Sequence, residues 1–132
     1  AYLDGQIDFV KKNGYVATLL GRRRYIPEIA NTNVAVRQFA ERQAINAPIQ
    51  GSAADLIKLA MVEIHRRLKE AGFKSCLILQ VHDELIFEVK KEEKKDLMKL
   101  VRDAMENAIV LRVPVQATIH VGKNWLEGEE QT

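Results

Sequence analysis

The stretch that most restricts the fold is LILQVHDELIFEV, residues 77–89. Two apolar, strand-like runs are separated by His82 and Asp83, so the spacing predicts an antiparallel hairpin with these two residues at its tip. A two-residue hairpin turn ordinarily uses Asn-Gly or Gly-X, which accept positive φ cheaply. Here an imidazole and a carboxylate occupy the tip, and local rules are most often broken where function demands it. Leu77, Ile78, Leu79 and Val81 leave few positions for solvent, so both faces of the sheet are expected to be at least partly covered. The chain supplies only about three sheet strands, few for strands so apolar, and a further element is expected beside them.

The rest of the chain follows helical and strand periods in turn. Leu3, Ile7 and Val10 recur at helical spacing until Asn13 and Gly14 stop them. YVATLLGRRRYIP then reads as a short hairpin, with Gly21 and Arg22 as a Gly-X turn and Pro27 ending it. A helix is predicted over residues 34–46, with Asn33 as N-cap and a break or kink marked by Ala47 and Pro48. The next helix is predicted to start at Ser52, which with Asp55 makes a capping-box variant. Its apolar stripe is Ala53, Leu56, Ile57, Ala60, Met61, Ile64 and Leu68, and Gly72 closes it. After the central hairpin another amphipathic helix starts near Glu92, with Leu97, Leu100, Val101, Ala104, Met105 and Ala108 inward. Pro114 precedes an alternating strand with Val115, Ala117, Ile119 and Val121 on one face. Gly122 ends that strand, and KNWLE is expected to cap the fold with the only Trp. The order predicts an α+β fold: a small antiparallel sheet with a central β-hairpin, and long helices packed on it. No repeat or linker is visible, so residues 1–132 read as a single domain.

Composition narrows the functional classes. A hydrophobic fraction of 47% and a charged fraction of 29% are those of a globular chain. The sole cysteine, Cys76, excludes an intramolecular disulfide and fits a reducing compartment. No apolar run approaches the ~20 residues of a membrane helix, so no membrane partner is expected. Asp4 and Asp8 argue against a secretory leader. The lack of an initiator Met, with a helical pattern already running, suggests that Ala1 is not the natural start. The net charge is only +2, which by itself is weak evidence for a nucleic-acid partner. Its distribution says more: Arg22, Arg23, Arg24, Arg37 and Arg42 crowd the front half, while Glu127, Glu129 and Glu130 lie at the end. The front half is the better candidate for meeting phosphate, although GRRRY also fits a solvated loop.

Two constellations carry chemistry. His82, Asp83 and Glu84 place a hard-oxygen ligand suited to Mg²⁺ on a hairpin tip, and a rigid mount positions a ligand more accurately than a loop does. The plainer alternative is an Asp tolerated in a turn because it accepts left-handed φ. A His-rich metal site would need more imidazoles than His65, His82 and His120, and His65 and His120 are most simply surface or boundary residues. Arg42, Asn46 and Gln50, spaced i, i+4, i+8, would stack on one face of a continuous helix. Such a row of donors could track the minor groove, where both base-pair types present acceptors at similar places. An ordinary polar helix face fits the same spacing.

Four blocks, GYVATLLGRRRYIPEI, ERQAINAPIQGSAADLIKLAM, LILQVHDELIFEV and VGKNWLE, resemble in order and spacing the family-A DNA polymerases, across essentially the whole chain. The resemblance implies a partial domain, the distal palm with the end of the fingers. It implies that Asp83 binds catalytic Mg²⁺, that Glu84 supports the metal site and that His82 contacts the primer end. Arg42, Asn46 and Gln50 match positions that touch the primer–template minor groove and the nascent pair. It also implies two-metal nucleotidyl transfer, with two Mg²⁺ ions in the complete enzyme and with primer–template DNA and deoxynucleoside triphosphates as partners. A second catalytic Asp from an earlier strand motif and the nucleotide-binding fingers helix are missing from this sequence. The remainder of the polymerase domain, on the same or a separate chain, is therefore an expected partner, and the 132 residues alone are expected to be inactive. The implied location is cytoplasmic and nucleoid-associated, with phage or organellar origin open. The rival from another class is a non-catalytic DNA-binding or assembly module.

Overall fold

In the computed structural model, which describes residues 2–131, two compact units divide after Asp55. The first unit opens with α1 (Tyr2–Asn13), which stops where Gly14 takes φ +74° and donates its N–H to Val10 O at 2.8 Å. That left-handed conformation costs glycine little and supplies an acceptor-satisfying end to the helix. β1 (Tyr15–Ala17) and β2 (Arg23–Tyr25) pair antiparallel, with Tyr15 opposite Tyr25 and Ala17 opposite Arg23. Their turn differs from the predicted Gly-X form. Gly21 N–H bonds Thr18 O and Thr18 N–H bonds Arg22 O, each at 2.9 Å, so Leu19 and Leu20 are the central turn residues. Gly21, at φ +82°, sits after them as the left-handed residue of a three-residue connection. Val10, Val16, Ile26, Ile29, Ala40 and Ala44 form the buried cluster of this unit. Full burial of Ile26 alone stabilises by about 1.5–3 kcal/mol.

α2 runs unbroken from Val34 to Glu70. Asn33 caps it as expected, its Oδ1 accepting the N–H of Ala35 at 2.9 Å and of Val36 at 3.4 Å. Of the break or kink expected at Pro48 the break does not occur, nor does the new start at Ser52. Interior proline costs a helix about 3 kcal/mol, yet the helix continues, and the β1–β2 hairpin is bonded to it just beyond the proline. Ser52 is not a cap: its Oγ donates to Pro48 O at 2.6 Å and accepts Leu19 N–H at 2.9 Å. Asp55 serves no capping box either and is taken up by Thr18 and Arg22. Gly72, φ +72°, ends the helix through Gly72 N–H to Lys69 O and Phe73 N–H to Leu68 O, a paired closing motif.

The second unit gathers Ala60, Ile64, Leu68, Leu97, Val101 and Ala104 into a buried cluster between the later part of α2 and α3 (Lys94–Glu106). On the outside, Glu63 takes bonds from Arg66 and Arg67, and these hold its carboxyl down at about 2. β3 (Cys76–Val81) and β4 (Glu84–Glu88) pair antiparallel, with an irregularity between Leu77 and Leu79. Leu85 and Phe87 pack on the helical cluster. The other side is not covered as expected: Ile78 is 58% and Leu79 47% exposed. The reason is strand count, since β3 and β4 form a two-stranded ladder.

β5 (Ile119–Val121) pairs with β6 (Glu129–Gln131). The alternating segment from residue 115 keeps its pattern of half-buried and exposed positions, but only its last three residues gain a ladder. KNWLE caps nothing here: Trp125 is 63% and Leu126 96% exposed. Asn124 Oδ1 instead accepts the N–H groups of Leu126 and Glu127, turning the chain back toward β6. The class is α+β as expected, with helices and small antiparallel ladders.

Candidate metal and nucleic-acid sites

Val81 and Glu84 are cross-strand partners, so His82 and Asp83 form a two-residue turn. His82 has φ +53°, and among the described residues it is the only non-glycine with positive φ. For a residue with a Cβ this conformation costs about 1–2 kcal/mol. The left-handed position is thus borne by His82, not Asp83. Tolerance of left-handed backbone does not account for the aspartate. Gln80 Nε2 donates to His82 O at 3.2 Å across the turn. His82, Asp83 and Glu84 are all exposed.

No three His, Cys, Asp or Glu side chains among the described residues are grouped to hold a metal ion. The tip offers Asp83 with Glu84 beside it in sequence. One or two carboxylates, completed by water and phosphate oxygens, are the usual protein share of a Mg²⁺ site. The donor set therefore fits a cation that a phosphate-bearing substrate helps to hold. His65 and His120 are exposed surface residues.

In the first unit the continuity of α2 through Pro48 keeps Arg42, Asn46 and Gln50 at i, i+4, i+8, and all three are exposed. They line a groove of about 300 Å³ together with Arg24, Phe39 and Gln43. The Arg42 guanidinium lies 5.9 Å from the Phe39 ring centroid, and Arg24 Nη2 donates to Gln43 Oε1 at 3.3 Å. Of these three neighbours the sequence marks Arg24, within the basic front half, and misses Phe39 and Gln43. Phe39 stands one turn before Arg42, a usable signal; Arg24, on a different element, is marked in the sequence by the arginine run of the basic front half and not by any spacing to the row.

The arginine run divides its work. Arg22 Nε donates to Asp55 Oδ1 at 2.9 Å and Arg22 Nη2 to Gly51 O at 3.0 Å, fastening the β1–β2 hairpin to α2. Arg23 lies 4.5 Å above the Tyr15 ring, a cation–π contact. Only Arg24 reaches the groove of the polar row.

Comparison with known proteins bears on the family of the chain. Residues 1–127 match DNA polymerase family A. The chain is 51% identical over 128 residues to DNA polymerase I of Bacillus caldotenax, covering 97% of this chain and 15% of that protein. It is 50% identical over 129 residues to DNA polymerase I of Bacillus subtilis, covering 98% of this chain and again 15% of the relative. Among solved structures, the POL domain of Pol1 from M. smegmatis, in complex with DNA primer-template and dNTP, aligns with a TM-score of 0.85 at 53% identity, over 87% of this chain and 20% of that one. The chain thus spans about 15% of the length of these curated relatives. On a match that covers nearly every residue, the chain belongs to DNA polymerase family A.

Proposed function

We propose that these 132 residues are part of a DNA-directed DNA polymerase that adds deoxynucleotides to a primer 3′-hydroxyl on a DNA template. The observation that carries this reading is the hairpin tip. A strained His82 and an exposed Asp83 occupy a two-residue turn mounted on paired strands, in a chain of a polymerase family. The M. smegmatis relative, solved with primer-template and dNTP, supports the same substrates here.

In this mechanism Asp83 holds a divalent cation, with Glu84 supporting the site and His82 contacting the primer terminus. Two bound Mg²⁺ ions would supply nucleophile activation at the 3′-oxygen and charge stabilisation on the leaving pyrophosphate. The paired strands fix the backbone of Asp83, so the carboxylate needs little reorganisation when substrate arrives. Arg42, Asn46 and Gln50 donate to acceptors of the minor groove and the nascent pair, sensing pair shape without reading sequence. The second catalytic carboxylate and the nucleotide clamp come from the rest of the polymerase domain, of which these residues are the distal palm with the end of the fingers. The corresponding location is cytoplasmic, with the bacterial nucleoid.

Asp83→Ala in the complete polymerase tests the reading. Loss of a metal ligand removes several kcal/mol of transition-state stabilisation, a fall of about 10³-fold in extension rate, while primer–template affinity stays within about two-fold. A DNA-binding or assembly module gives the opposite result: binding that needs no Mg²⁺, and no extension for Asp83→Ala to remove. Sustained templated synthesis by the 132 residues alone would refute the division of labour.

A further inference from the structure

The end of the β3–β4 hairpin opposite Asp83 is closed by a single carboxylate. Glu93, which directly precedes α3, accepts Ser75 Oγ–H at 2.6 Å and Ser75 N–H at 2.8 Å on Oε2, and Lys74 N–H at 2.9 Å on Oε1. Ser75 Oγ in turn accepts Lys90 N–H at 2.9 Å. Ser75 lies just before β3 and Lys90 just after β4, so the serine hydroxyl ties the two strand ends together and Glu93 ties that knot to the start of α3. Ser75 is 4% exposed, so these polar groups have little water to turn to. Among the described residues the hairpin packs through Leu85 and Phe87 on the helical cluster, while Ile78 and Leu79 are exposed.

We propose that Glu93 and Ser75 are positioning residues for Asp83: the clamp sets the angle at which the hairpin leaves the helical layer, and so where its tip stands. This rests on the polymerase reading of Asp83. The lever is long. At a rise of ~3.3 Å per residue, the roughly seven residues from Ser75 to His82 span about 23 Å. A tilt of about 3° at the clamp moves the tip by about 1 Å, and misplacement of that size costs a reaction as much as ~10²-fold. Glu93→Gln keeps the size of the side chain but replaces one acceptor oxygen by an NH₂ group, which cannot accept from Lys74 or Ser75. Ser75→Ala removes the knot, and Ser75→Thr keeps the hydroxyl.

The test uses the complete polymerase with two readouts. The first is steady-state primer extension. Glu93→Gln and Ser75→Ala lower kcat by about ten-fold or more, with the KM for nucleotide and the primer–template Kd within about two-fold; Ser75→Thr regains most of the rate. The second is amide hydrogen exchange, which needs no activity. Both variants speed exchange at Val81 and Glu84 near the tip, while the amides of α3 from Leu97 onward keep wild-type protection. Unchanged kcat with a lowered melting temperature, or faster exchange spread equally over α3, would overturn the proposal in favour of a merely structural clamp. If Asp83→Ala leaves extension intact, the polymerase reading fails, and the exchange result then decides separately whether the clamp governs the tip.

Discussion

Arg22 reaches Asp55 across 33 residues of sequence, its Nε 2.9 Å from Oδ1, while Thr18 Oγ1 donates to the other carboxylate oxygen at 2.6 Å. Asp55 is 7% exposed, and the contact lies on α2 two turns beyond Pro48. Asp55→Ala leaves the half-buried Thr18 hydroxyl and the Arg22 guanidinium without this acceptor. A cost of about 1–3 kcal/mol is expected from unmade hydrogen bonds of this kind. Urea unfolding measures it, and Asp55→Asn, which keeps one acceptor, loses less.

Gly51 sits under the same hairpin. A Cβ there would come within 2.5 Å of Thr18 Cγ2. Thr18 cannot swing away freely, because its hydroxyl bonds Asp55 and accepts Arg22 N–H at 3.2 Å. Helix propensity favours alanine over glycine by about 1 kcal/mol, yet overpacking costs about 1–3 kcal/mol. Gly51→Ala is therefore expected to destabilise. Thr18→Ser, which deletes the methyl and keeps the hydroxyl, should rescue it in a double-mutant cycle; purely additive effects would argue against the clash.

His82→Gly separates strain from function. Glycine relieves a left-handed conformation that costs a residue with a Cβ about 1–2 kcal/mol. The variant should match or exceed the wild type in melting temperature; if the proposed contact of His82 with the primer end is made, the complete polymerase carrying it also extends primers more slowly. A variant less stable than the wild type would mean that His82 is held by contacts that outweigh its strain.

Acid should weaken the second unit in a defined window. The Arg66 and Arg67 hydrogen bonds lower Glu63 from 4.5 to about 2. The bonds from Ser75 and Lys74 lower Glu93 as well. A carboxyl depressed in the folded state contributes its stability above its unfolded pKa and loses it as pH falls through the folded value. Stability should thus decline from about pH 4.5 toward pH 2 for Glu63. Glu63→Gln should flatten that part of the pH–stability curve, and added salt should shrink the difference because Glu63 and its two arginines remain partly open to solvent.

Most of the fold was legible because it depends on neighbours in sequence. Asn33, Gly14 and Gly72 signal helix ends through local hydrogen bonds and positive φ, and the apolar stripe Ile57, Ala60, Ile64 and Leu68 is a period. The central hairpin was legible from two apolar runs and their spacer. What failed depends on distant partners. Pro48 reads as a break, and the helix continues through it where Ser52, Leu19, Arg22 and Asp55 converge. Gly21 fits two turn types locally, and the pairing of Thr18 with Arg22 selects one. At the candidate sites, Asp83 and the row at Arg42, Asn46 and Gln50 were readable as residues. The left-handed His82, the place of Arg24 in the groove and the Glu93 clamp were not, since each is a fact of backbone conformation or of tertiary contact.

The most direct test of the central assignment is to count divalent ions. Mn²⁺ can be titrated by paramagnetic resonance into the complete polymerase bound to primer–template and nucleotide, with and without Asp83→Ala. If Asp83 holds a cation at the primer terminus, the variant binds at least one tight Mn²⁺ fewer than the wild type while retaining DNA. Equal Mn²⁺ stoichiometry and affinity in the two proteins would contradict the assignment.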